Sequence, residues 1–119
     1  MTEIAFVGYS VTDLKRVRRF YERTLGLKPS RTVGDESTGW IEYDIGPGTL
    51  LIGNGAPDWK PSAGGGSAGP KVDDFPATIE RLKESGVSFT FEPMETPVCH
   101  MVVVTDPDGN SITIRKRKQ

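Results

Sequence analysis

Few side chains in this 119-residue sequence have the chemistry to react or to ligate. The one histidine, His100, follows the one cysteine, Cys99, which suggests a thiol with a neighbouring base. The surrounding residues are strand-like, and adjacent strand positions point to opposite faces, so the two side chains would not meet. A metal site built on them would lack at least two further ligands. Cys99 therefore reads as a small buried residue. His100 keeps two readings, a residue lining a ligand groove or a hydrogen-bonded surface imidazole.

Glu42 alternates with Ile41, Tyr43 and Ile45, so it faces away from an apolar stripe. There it could serve as a general base or hold a cation, or it could simply be a solvated carboxylate. Arg115 shares parity with Ser111 and Thr113. It either grips a carboxylate or phosphate through both guanidinium nitrogens or lies loose in the basic run Arg115-Lys116-Arg117-Lys118. Trp40 and Trp59 are the aromatic residues least explained by helix packing, and a planar ligand would stack on such rings. For Trp59 the chain's own core ranks ahead of a ligand or a second subunit as partner. Gly64-Gly65-Gly66-Ser67-Ala68-Gly69 fits a dinucleotide-loop pattern in spacing, but Pro70 follows where a helix should open, so it reads as linker.

The elements that would position these groups follow from periodicity. Glu3–Ser10 alternates as a strand. Thr12 or Asp13 caps a helix whose apolar positions are Leu14, Val17, Phe20 or Tyr21, and Leu25. Gly26 ends it in the left-handed region. Strands are expected near Lys28–Val33, Gly39–Ile45 and Thr49–Ile52. Residues 53–69 hold six of the chain's 14 glycines together with Pro57 and Pro61, the mark of a connector. A second strand is expected from about Ala68. A helix capped by Asp73 or Asp74 follows, with Phe75, Ile79 and Leu82 inward and Gly86 at its end. Val87–Glu92, Cys99–Thr105 and Ser111–Arg115 read as strands, the last two joined by the turn Asp106-Pro107-Asp108-Gly109-Asn110.

Composition narrows the classes. With 35% hydrophobic and 26% charged residues the chain is an ordinary globule, sized for a single domain. A net charge of −1 argues against nucleic-acid binding, which needs clustered positive potential. No stretch approaches the roughly 20 apolar residues of a membrane span, and Thr2, Glu3, Gly8 and Ser10 break up any signal-peptide core. One cysteine precludes an internal disulfide, and a cytoplasmic location is the expectation.

The two halves repeat. Val11-Thr12-Asp13-Leu14 through Leu25-Gly26-Leu27 matches Val72-Asp73-Asp74-Phe75 through Ser85-Gly86-Val87. The fold class expected is α+β, two βαβββ modules forming a curled mixed sheet around a groove, helices on the outer faces. Module 1 would span about 1–53, the linker about 54–67 and module 2 about 68–119.

These motifs, with Arg19-Phe20-Tyr21, resemble in identity and order those of the vicinal oxygen chelate superfamily, which includes glyoxalases, bleomycin-resistance proteins and extradiol dioxygenases. The resemblance implies a metal held by His, Gln or Glu side chains from the first and fourth strands of each module. Aligned on this chain, those positions fall on Phe6, Ile52, Ser67 and Thr113. None is a good donor to zinc, iron or manganese. The expectation is therefore a protein without metal or other cofactor that sequesters a small organic molecule, dimeric as such proteins commonly are. Phe6, Trp40, Glu42, Ile52, His100, Thr113 and Arg115 are the candidate ligand contacts. The alternatives are an enzyme using Glu42, His100 or a metal site elsewhere, and a non-catalytic interaction module with a filled groove.

Overall fold

A computed structural model describes residues 5–56, 59–62 and 64–118. Seven strands in two sheets and two α-helices give a mixed α+β fold without a closed barrel among the described residues. No helix is long and apolar enough to cross a membrane. The chain divides into two compact units, Met1–Ser62 and Ala63–Gln119.

The first unit runs β1 (Val7–Ser10), α1 (Leu14–Arg19), a π-helical turn (Phe20–Thr24), β2 (Pro29–Gly34), β3 (Gly39–Ile45) and β4 (Gly48–Gly53). Its sheet has the order β1-β4-β3-β2, with β1 parallel to β4 and the other pairs antiparallel. The first four residues of the strand expected over 3–10 include two that lie outside the described residues; pairing begins at Val7. Asp13, not Thr12, caps α1, its carboxylate accepting from the Arg16 amide at 3.1 Å. The π turn resolves the choice between Phe20 and Tyr21. Leu25 N–H donates to the carbonyl of Phe20, five residues back, and the wider turn buries both rings. Gly26, at φ 73°, then turns the chain off the helix.

One face of this sheet is the core. Tyr9, Ile41, Tyr43, Leu50 and Ile52 are buried, as are Leu14, Val17, Phe20 and Tyr21 of the helical segment. The Tyr21 and Tyr43 rings stack at 6.1 Å, which fixes the helix on this side. By alternation the other face carries Gly8 and Ser10 of β1, Thr49, Leu51 and Gly53 of β4, and Trp40, Glu42 and Asp44 of β3.

The second unit repeats the plan. Residues 67–72 form a reduced first strand, bridged in parallel at Ala68↔Ile112 and Lys71↔Arg115. The carbonyls of Ala68 and Pro70 accept from the Thr113 and Arg115 amides, and Val72 N–H donates to Arg115. Proline at position 70 has no N–H to give to a ladder, which accounts for a strand reduced to isolated bridges. Then come α2 (Phe75–Glu84), β5 (Ser88–Glu95), β6 (Cys99–Thr105) and β7 (Ser111–Arg117), the sheet ordered β5-β6-β7 and antiparallel. Asp74 caps α2 by accepting from the Ala77 amide at 3.0 Å. Phe75, Leu82, Val102, Val104, Ile112 and Ile114 make the core. In the β6–β7 turn the Asp106 carboxylate is buried and takes hydrogen bonds from the Asp108 and Asn110 amides and from Asn110 Nδ2.

One reading of loose chain, that of the C-terminal run, needs correcting. The basic C-terminal run is not frayed: β7 extends to Arg117, Lys116 Nζ donates to the Asp73 carbonyl at 2.6 Å, and Lys118 pairs with Glu95. Parts of the connector are also tied down. Asn54 bonds the Gly39 amide and the carbonyls of Thr12 and Ser37, and Ser10 Oγ donates to the Trp59 carbonyl at 2.5 Å.

Candidate functional site

The strand register places each candidate residue on a face. In the first unit Gly8 lies opposite Leu51; in the second, the bridges place Gly69 opposite Thr113. The shared Val-x-Asp entry to each helix makes Gly8 and Gly69 equivalent, so Leu51, and not Ile52, is the counterpart of Thr113. Ile52 points the other way and is 0% exposed among the core side chains. A one-residue slip reverses the face of a strand residue, which is the error in assigning Ile52 to a ligand surface.

The open face of the first sheet is aromatic. A Cβ built on Gly8 would stand 3.4 Å from both the Phe6 and the Trp59 rings, so these rings flank that glycine on the open side. Phe6 is 53% exposed, Trp59 41% and Trp40 40%, high values for large apolar side chains. Trp40 sits opposite Gly53, whose missing side chain makes room for the Trp40 Cβ, 3.0 Å from where a Gly53 Cβ would be. Trp40 Nε1–H donates to Glu42 Oε2 at 3.1 Å, fixing indole and carboxylate relative to each other. β1 and β3 are separated by β4, so Gly8 and the Trp40–Glu42 pair stand roughly 10 Å apart across the sheet. Phe6, Trp40 and Glu42 are thus on one surface, with Trp59 and Leu51 added to it.

The corresponding face of the second sheet is mixed. Ser67 Oγ and Thr113 Oγ1 share a hydrogen bond at 3.0 Å, and Arg115 lies on the same side two residues on. Phe91 and Met94 of β5, 54% and 41% exposed, oppose Val103 and Met101 on that side. His100 does not join them. It has the parity of Val102 and Val104, and its ring packs 5.8 Å from that of Phe75 on α2. This is the helix side of the sheet, so His100 and Thr113 occupy opposite faces. Cys99 is buried, its sulfur 3.3 Å from Thr96 Oγ1, and it does not pair with His100.

Leu51, Phe91 and Met94 carry no chemical signal in the sequence, and only the register brings them out. Trp59 is half exposed rather than absorbed into the core. Its signal was present in sequence as Gly8, a residue with no side chain on an otherwise large-residue strand.

The donor positions of the family do not fit a transition metal. Phe6 and Leu51 offer no lone pair, and Ser67 and Thr113 offer neutral hydroxyls that already bond each other. Among the described residues no three His, Cys, Asp or Glu side chains cluster as a metal site would require.

On the helix side of the first unit, Arg18 Nε and the Tyr43 hydroxyl both donate to Glu22 Oε2, at 2.6 and 2.9 Å. Burial, and then the bond to Glu22, push the Tyr43 hydroxyl well above its ordinary pKa. A shallow depression of about 240 Å³ beside this network is lined by Lys15, Arg18, Arg19, Glu22, Arg23 and Glu36, and shares no residue with the open face.

A model of the Glyoxalase/Bleomycin resistance protein/Dioxygenase superfamily matches residues 3–114, and the chain belongs to that superfamily. Among solved structures it is similar to TnmS3, an antibiotic binding protein from Streptomyces sp. CB03234. The two are 23% identical over 99% of this chain and 98% of that one, with a TM-score of 0.80. It is also similar to lactoylglutathione lyase from Agrobacterium tumefaciens, 18% identical over 98% and 94% of the two chains, TM-score 0.76. An integron cassette protein from V. Cholerae is 19% identical over 98% and 95%, TM-score 0.73. At these identities the likeness establishes the fold. No curated protein matches the sequence.

Proposed function

We propose that this protein is a metal-free binder that sequesters a small organic molecule, and that the open face of the first sheet is its principal contact surface. The observation that carries this reading is the set of half-exposed rings Phe6, Trp40 and Trp59 around two glycines. Apolar side chains left in water cost free energy that a covering ligand recovers, roughly 25 cal/mol per Å² buried. Ser67, Thr113 and Arg115 give the second sheet a polar face of its own, proposed as a contact surface in its own right. The lack of donor chemistry at the chelating positions favours binding over the superfamily's metal-assisted reactions. The description of TnmS3 as an antibiotic binding protein lends the same direction to the reading.

Calorimetry against a panel of aromatic small molecules tests it. Phe6→Ala and Trp40→Ala should each weaken a bound member by about tenfold or more, as expected for aromatic anchors. A ligand whose affinity ignored both substitutions would overturn the proposed surface.

We further propose a homodimer in a reducing, cytoplasmic setting, the lone thiol of Cys99 being buried and free. β5 closes one edge of its sheet, and Val98 beside it is 61% exposed, an arrangement that a second copy could cover. Sedimentation should give twice the chain mass; a single-chain mass at micromolar concentration would refute it.

A further inference from the structure

We infer that the molecule recognised by the open face of the first sheet is an organic cation, a planar nitrogen heterocycle carrying a fixed positive charge. This rests on the binding reading above and narrows it to a ligand class.

Two features converge. The exposed rings of Trp40, Trp59 and Phe6 present electron-rich faces, and indole is the best of the natural side chains at attracting a cation. Beside Trp40, the Glu42 carboxylate is held by the indole N–H at 3.1 Å. That bond uses one oxygen of Glu42 and leaves the carboxylate's charge uncompensated. Arg31 of β2 is its cross-strand neighbour and the one native cation in register with it, yet no ion pair joins them among the described residues. The neighbouring acid on this face, Asp44, accepts instead from Thr49 Oγ1 at 2.9 Å.

The desolvation argument decides between ligand charges. A neutral ring lying over Trp40 would take water from Glu42 and return nothing to the carboxylate, a costly exchange for an ionised group. An anion would add direct repulsion. A cationic ring satisfies the carboxylate and the aromatic faces together, so its charge is stabilised by both at once. A platform built only for neutral planar molecules would gain by having an amide or an apolar residue at position 42.

The probes are N-methylquinolinium, quinoline and quinoline-2-carboxylate at pH 8 and low salt, a cation, a neutral base and an anion of nearly one shape. Binding is read from the two indole N–H resonances of the 119-residue chain, those of Trp40 and Trp59, in a titration by NMR. The expected result is that the cation binds about tenfold more tightly than quinoline and that the anion binds weakest. Glu42→Gln should bring cation and neutral base within about twofold while leaving the Trp59 resonance in place. Raising the salt concentration should weaken the cation selectively.

Equal affinities for cation and neutral base in the unmodified protein would overturn the charge assignment and leave the binding reading standing. So would a preference for the cation that survived Glu42→Gln. If none of the three probes shifts either indole resonance at millimolar concentration, the face is no aromatic site and both readings fall.

Discussion

Tyr43 gives up its hydroxyl proton less readily than an ordinary tyrosine, because burial and the bond to Glu22 both favour the neutral form. The unfolded chain would release that proton near the ordinary value of 10.0 while the folded chain retains it. The stabilisation is therefore complete below about pH 10 and is lost as the pH rises beyond it, since the native state then binds more protons than the unfolded one. Tyr43→Phe should flatten that alkaline loss and cost about 1.5 kcal/mol at neutral pH, the low end of the range for a bond to a charged group because Glu22 is 26% exposed. Urea titrations of both proteins at pH 7 and above 10 measure the two effects; parallel alkaline losses would show that Tyr43 is not their source. At this scale sequence was an uneven guide. Glu42 and Trp40 were legible because the alternation of β3 is regular from Trp40 to Ile45. Ile52 and His100 were not, because each sits in a run of apolar or mixed residues where both faces look alike and a single step changes the side. Trp59 lies in a segment without periodicity, so only its packing over Gly8 reveals its place.

The helices and turns were the most legible elements, because each is marked by a residue with a specific backbone task. Asp13 and Asp74 each satisfy an orphan amide at a helix start, and removing either carboxylate by substitution with alanine should cost about 1 kcal/mol. Chemical denaturation checks this, and a loss confined to one of the two variants would break the equivalence of the repeats. The π turn was not legible. Periodicity left Phe20 and Tyr21 as alternatives, and burying both required a change in hydrogen-bond spacing that no local propensity announces. The first strand of the second unit was legible in position, near Ala68, but not in strength. Pro70 removes a donor there, while the carbonyls of Ala68 and Pro70 still accept from the Thr113 and Arg115 amides of β7.

For the molecule as a whole, the repeat read from sequence corresponds to two sheets with the same order of strands, once residues 67–72 are counted beside β7. The donor substitutions have a consequence at this scale. Protein purified without chelator should carry far less than one zinc, iron, nickel or manganese per chain, as read by elemental analysis. A stoichiometric metal would place chelating groups elsewhere in the fold and reopen the enzymatic alternative.

Both tryptophans fall in the unit ending at Ser62, and the sole cysteine, buried against Thr96, falls in the other. Nature has thereby labelled each half with its own reporter. Indole emission follows loosening of the first half, and the rate at which a thiol reagent reaches Cys99 follows loosening of the second. Whether the halves melt together or in sequence can be read on the unmodified protein, without a single engineered probe.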